Sequence, residues 1–182
     1  MLYMRCSWVK SEQVEIDYHD HEWGVECHDE RYLFEQLMLE CFQSGLSWST
    51  IIKKRQAFRE RFDNFDANKI ANYDEVKINE LKNDPTIIRH EAKISAVINN
   101  AQAYIEMLEA GLSFDKYFWG FTNGPSNISG LEVTNNLSDE ISKDLKKRGF
   151  KYVGSITVFA YLQAIGIYNS HEKSCEMRRE YE

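Results

Sequence analysis

The chain has 182 residues, 43% of them hydrophobic, enough for one domain with a packed core and too many for a disordered chain. Its formal net charge of −7 argues against a protein that coats DNA through bulk positive charge, while leaving room for a local basic face. No apolar run is long enough to span a bilayer, and Met1-Leu2-Tyr3-Met4-Arg5 lacks a signal-peptide layout, so no membrane association and a cytoplasmic location are expected.

The predicted elements are almost all helical. From Asp29 to Gln43, Leu33, Phe34, Leu37, Met38, Cys41 and Phe42 recur at three and four residues. Ser44-Gly45-Leu46-Ser47 breaks the pattern, with Gly45 free to take positive φ and Ser47 placed to cap the next helix. That helix runs from Trp48 to Phe62. Asp66 and Asp74 read as caps of two short helices, and His90 to Leu108 as a long amphipathic helix stopped at Gly111. Residues 122–137 read as the one long loop. Ser138 is read as the cap of a helix that Gly149 ends. Val153 to Ile165 reads as a buried helix, although the β-branched run Ile156-Thr157-Val158 also suits a strand. The fold class is all-α: one unit spanning 1–182, built from both ends of the chain.

Four places stand out. On a wheel of about 100° per residue, Gln36, Glu40 and Gln43 form a polar stripe with apolar residues on both flanks. Such a stripe is either a solvated helix edge or the polar floor of a pocket. In a pocket, a carboxylate needs a donor or a cation. Leu46 is an apolar side chain on a turn, and Trp48 sets a ring near the carboxylate; core filling is the alternative use of that ring. Cys6, His19, His171 and Cys175 make a Cys₂His₂ set of the zinc-binding kind, with His171 and Cys175 spaced to share a helix face. Its wide spacing leaves Cys27, His21 and His28 as rival ligands, and apolar filling as the alternative for the cysteines. Basic clusters at Lys53-Lys54-Arg55, at Arg89-His90 with Lys93, and at Lys146-Lys147-Arg148 with Lys151 read, taken singly, as solvated faces.

Taken jointly, the motifs say more. Cys6-Ser7-Trp8, Tyr18-His19-Asp20-His21-Glu22-Trp23-Gly24, the stretch Glu40 to Trp48, Ile87-Ile88-Arg89-His90 with Lys93-Ile94, Lys146 to Gly154, and His171-x₃-Cys175 closely resemble the bacterial type I 3-methyladenine DNA glycosylase family, of the helix-hairpin-helix superfamily. The resemblance runs from about residue 4 to residue 175.

It implies a monofunctional hydrolase of base-excision repair that flips 3-methyladenine out of alkylated double-stranded DNA and releases the free base. It implies Glu40 and Tyr18 at the extruded base, Trp48, Trp8 and Trp23 as aromatic walls, and Leu46 as a wedge with Gln43 and Gly45 beside it. Asp84 to Lys93, with Arg89, falls where the family places a phosphate-gripping hairpin. Cys6, His19, His171 and Cys175 match ligands of one structural Zn²⁺ joining the chain ends. A monomer is expected. Two features depart from relatives. Residues 84–90 lack the glycine pattern of the wider superfamily, and no catalytic aspartate follows, as in other type I enzymes. Phe42 stands where the family is often polar, which bears on the pocket rim or the hairpin packing. The competing readings are a glycosylase for another alkylated base and a module that binds a modified base without cutting.

Overall fold

The computed structural model describes residues 4–181. Met1 to Tyr3, the first residues of the N-terminal stretch that lacks a signal-peptide layout, lie outside the described residues, as does Glu182. The described residues form nine α-helices: α1 (Gln13–His21), α2 (Glu30–Gln43), α3 (Trp48–Arg61), α4 (Ala67–Ile70), α5 (Glu75–Asn83), α6 (Glu91–Glu109), α7 (Phe114–Trp119), α8 (Asn136–Lys147) and α9 (Ser155–Ala164). A parallel pair of two-residue strands, β1 (Ser126–Asn127) and β2 (Tyr168–Asn169), ties the long loop to the C-terminal segment. No helix among the described residues is long and apolar enough to cross a membrane.

α2 is the central helix. Every residue from Leu33 to Phe42 is buried, so Gln36 and Glu40 of the polar stripe lie inside the protein and not on a solvated edge, with Gln43 half-buried at its end. α3, α6, α7 and α9 pack around it. The Tyr161 hydroxyl of α9 donates to the Leu33 carbonyl at 3.1 Å, pinning one central element to the other. Phe42 is fully buried with its ring 4.6 Å from Phe58 and 5.8 Å from Phe62. It belongs to the α2–α3 core and leaves the pocket rim to other residues.

The caps follow sequence chemistry. Asp29, Ser47, Asp66, Asp74 and His90 each accept a backbone N–H at a helix start. The start of α8 differs from expectation. Asn135 is the cap, and Ser138 completes a capping box by accepting from the Asn135 amide. Ile156-Thr157-Val158 is helical, because its apolar neighbours bury a helix face against α2 and α8. Residues 171–175 form a turn, so His171 and Cys175 converge without sharing a helix face.

A candidate base pocket beside a metal-ligand cluster

α1, α2 and α3 converge on a cavity of about 370 Å³. A buried ion-pair network holds the three together. Arg55 of α3 donates to Glu35 of α2 at 2.6 Å and to Glu22, just past α1, at 2.8 Å. Arg59 joins through Glu35. Breaking such a network leaves a buried charge alone, so it fixes the helices' relative placement strongly.

Tyr18, Glu40, Trp48, Trp8, Trp23 and Gln43 all line this cavity. Glu40 is 4% exposed, and its Oε2 has no hydrogen-bond partner. Burial alone pushes its carboxyl up to about 8, so at neutral pH it holds a proton. Tyr18, also buried, sets its ring 5.0 Å from that of Trp48 at 43°. Burial first, then neighbouring acidic groups including Glu40, drives the phenol well above its ordinary value, so it stays a neutral donor. Trp8 and Trp23 meet edge to face at 5.1 Å. The indole nitrogens of Trp8 and Trp48 are both buried without partners.

Burial of Glu40 also makes the protein's stability depend on pH. The folded carboxyl titrates above its ordinary 4.5, so folding takes up a proton in that interval. This contribution is complete below pH 4.5 and is lost as pH rises towards 8, where a bare carboxylate would be buried. Chemical denaturation at pH 5 and pH 9 should show the wild type losing on the order of a few kcal/mol relative to Glu40→Gln. Parallel pH profiles would contradict this.

The turn after α2 is shaped from beneath. Gly45 has φ +79°, and Leu46 is 38% exposed at the tip. Gln43 donates to the Leu46 carbonyl at 3.1 Å. Lys93 does not present a free cation. It is 6% exposed, and its ammonium donates to the carbonyls of Phe42 at 2.8 Å and Ser44 at 2.5 Å. These are the orphan carbonyls at the end of α2, so Lys93 caps that helix and sets the turn. Arg89 remains exposed.

Next to the aromatic walls lies the cysteine–histidine cluster. The ligand atoms of Cys6, His19, His171 and Cys175 lie within 4.8 Å of one another, and all four residues are buried. His171 packs its ring 4.6 Å from Trp23, and His19 packs 5.4 Å from Trp8, so cluster and pocket share a wall. Three observations fit a metal. His171 Nε2 is a buried orphan. Burial lowers that imidazole to about 4, keeping it neutral and able to ligate, and raises the Cys6 thiol to about 12 in the absence of a cation. His19 is oriented through Nδ1 by Asp20 at 2.7 Å, itself gripped by Arg5, the outer-shell arrangement of a metal-ligating histidine. The rivals lie elsewhere: His21 is exposed, His28 bonds Asp115 and Glu26, and Cys27 is only partly buried.

Gly24 couples backbone to cluster. It has φ +71°, and a Cβ there would stand 3.0 Å from the His171 ring. Gly24→Ala should destabilise the protein by about 1–3 kcal/mol through backbone strain and displacement of His171. Thermal melting checks it, and an unchanged Tm would contradict it.

Some lining residues are not singled out by sequence reasoning. Lys10, Glu15, Ser49, Ala160 and Gln163 are among them, and with Ser47 they complete the cavity. Glu15 lies three residues before Tyr18 on α1, a spacing that puts both on one helix face once that helix is recognised.

Fold and cavity together define a helical protein with an aromatic-walled site beside a Cys₂His₂ cluster. The chain belongs to the methyladenine glycosylase family, whose model matches residues 8–179. It is 42% identical over 177 residues to DNA-3-methyladenine glycosylase 1 of Escherichia coli (strain K12), covering 94% of this chain and 95% of that one. It is 38% identical to the DNA-3-methyladenine glycosylase of Haemophilus influenzae (strain ATCC 51907 / DSM 11121 / KW20 / Rd), covering 94% and 96%. The structure of Staphylococcus aureus 3-methyladenine DNA glycosylase I, solved for its recognition of 3-methyladenine, matches with a TM-score of 0.92 at 36% identity, covering 98% of each chain.

Proposed function

We propose that this chain is a cytoplasmic, monomeric DNA glycosylase that excises 3-methyladenine from alkylated double-stranded DNA, with 1–182 acting as one unit. The observation that carries the reading is the buried, partnerless Glu40 carboxyl in one cavity with Tyr18 and Trp48. Methylation at N3 makes the base cationic and its glycosidic bond weak, so recognition matters more than strong acid catalysis.

Extruding the nucleotide loses stacking and pairing worth a few kcal/mol, and Leu46 inserted into the stack offsets part of that. A cation over the Trp48 indole gains about 0.5–2 kcal/mol. Arrival of the positive ring favours the Glu40 carboxylate, so Glu40 releases its proton to solvent on binding and forms a charged contact in a dry site. A neutral adenine gains neither effect. Water then attacks C1′ while the C1′–N9 bond breaks, its electron pair passing to the purine. The cationic base departs as neutral 3-methyladenine, and the proton from water passes to solvent, leaving an abasic sugar.

Cys6, His19, His171 and Cys175 would hold Zn²⁺. Four protein ligands leave no open position, so the ion's chemistry is a structural cross-link between the chain ends. For the helix-hairpin-helix grip on phosphate, the amides at the start of α9 are favoured over 84–93. Gly154 caps α9 without any side-chain hydrogen bond, whereas the first turn of α6 is already capped by His90. Lys146, Lys147 and Lys151 stand exposed around that α8–α9 hairpin.

Incubation with methylated DNA, followed by chromatography of the released bases, tests the function. Free 3-methyladenine is expected. Tight lesion binding with no base released would favour a binding module instead, and release of a different base alone would favour another lesion.

A further inference from the structure

The cavity holds a second acid beside Glu40. Glu15 of α1 lines it together with Glu40, is 2% exposed, and has one carboxylate oxygen, Oε1, without a hydrogen-bond partner. Its other oxygen accepts from the Lys10 amide at 3.1 Å. No lysine or arginine among the described residues forms an ion pair with it, since nearby Lys53 is paired with Glu12. Ser49, next to Trp48 on α3, lines the cavity beside it. We infer that Glu15 is a specificity-determining residue that supplies a standing negative charge in the base pocket and thereby selects a cationic purine over an uncharged one of the same shape. This deepens the reading proposed above and rests on it.

The two acids are set apart by their surroundings. The Ser49 hydroxyl first, and the Lys10 amide with the Lys53 and Lys10 charges after it, hold Glu15 below its ordinary range, whereas burial alone raises Glu40. Before a base arrives, then, Glu15 is the anion and Glu40 the neutral acid. An incoming positive ring meets the first charge on α1, three residues from Tyr18, before it draws the proton from the second. Paired groups pushed in opposite directions within one site divide roles in this way. Lys10, exposed at the rim, offsets part of the Glu15 charge from outside and does not neutralise it by contact.

Glu15→Gln keeps the volume and can still accept from the Lys10 amide while removing the charge. Two readouts separate charge selection from a structural role. The first is kcat/KM for 3-methyladenine release from methylated DNA. The second is the Kd for a duplex carrying 3-deaza-3-methyladenine, which has the shape of the lesion without its charge. Glu15→Gln should lower the first at least tenfold and leave the second within twofold. Equal loss in both, or less than twofold loss in the first, would overturn the inference. Should Glu15→Gln fold poorly, Glu15→Asp provides the second variant: it retains the charge and should keep most of the kcat/KM, and a tenfold loss with it would overturn charge as the cause. Wild-type protein that releases no base would overturn the functional reading and this inference with it. Wild-type release that Glu15→Gln matches overturns this inference alone.

Discussion

Replacing Glu40 with glutamine is expected to slow 3-methyladenine release by about 10²-fold, the effect of removing one well-placed electrostatic group from an active site. At pH 5 the variant's melting should stay close to that of the wild type, and at pH 7 it should melt higher, because unfolding the wild type there releases the Glu40 proton. The reason lies in the protonation state. In the empty cavity Glu40 is a neutral acid with no hydrogen-bond partner on Oε2, and glutamine is a neutral group of the same size. In the folded protein a positive ring separates the two, because an amide cannot become an anion. Single-turnover release from methylated DNA, with binding to undamaged duplex as the control, measures this. Equal release by the two proteins would refute the role of Glu40.

The second large effect is expected at the chain ends. Cys175→Ser should cut zinc well below one ion per chain and lower Tm on the order of 10 °C, since structural zinc contributes folding free energy directly. The cluster ties segments far apart in sequence. Glu172 accepts from the Ser7 amide at 2.8 Å, and the Arg178 guanidinium donates to the His171 carbonyl at 2.6 Å, so both ends close around the same four side chains. The His19 and His171 rings that fill the cluster also back Trp8 and Trp23, so losing the ion should loosen the pocket wall as well. Elemental analysis and calorimetry of Cys175→Ser decide the matter. Full zinc with unchanged melting would remove Cys175 from the ligand set.

How far the sequence can be read depends on whether a residue's neighbours are near in the chain. α2, α3 and α6 were legible because each buries a stripe at helical spacing and starts at a capping side chain. The α2 stripe fixed the position of Glu40 on the helix but not its surroundings. Whether it faces water or a cavity is decided by α1 and α3, which the wheel does not contain. α1 itself is not legible, because its core-facing residues include Glu15, Tyr18 and His19, a set that shows no apolar period. α7 is not legible either, being only six residues long, with aromatics on several sides. Lys93 read as a surface cation because its partners, the Phe42 and Ser44 carbonyls, lie about fifty residues away. Glu15 was invisible for the same reason: among Glu12, Gln13 and Asp17 it looks like one more solvated acid. The cluster ligands are a contrasting case. Their residue types narrowed the choice to a handful, and folding brings four of them together.

Selection of a positively charged base turns on the state of one carboxyl group in the ligand-free protein. Carbon-detected NMR of Glu40 labelled at its side-chain carboxyl, titrated from pH 4 to pH 10 and assigned by loss of the signal in Glu40→Gln, reads that state directly. A midpoint about 8 is the expected result. A midpoint near 4.5, the value of a solvated glutamate, would mean that water reaches the group and that the pocket has no dry acid with which to recognise a positively charged base.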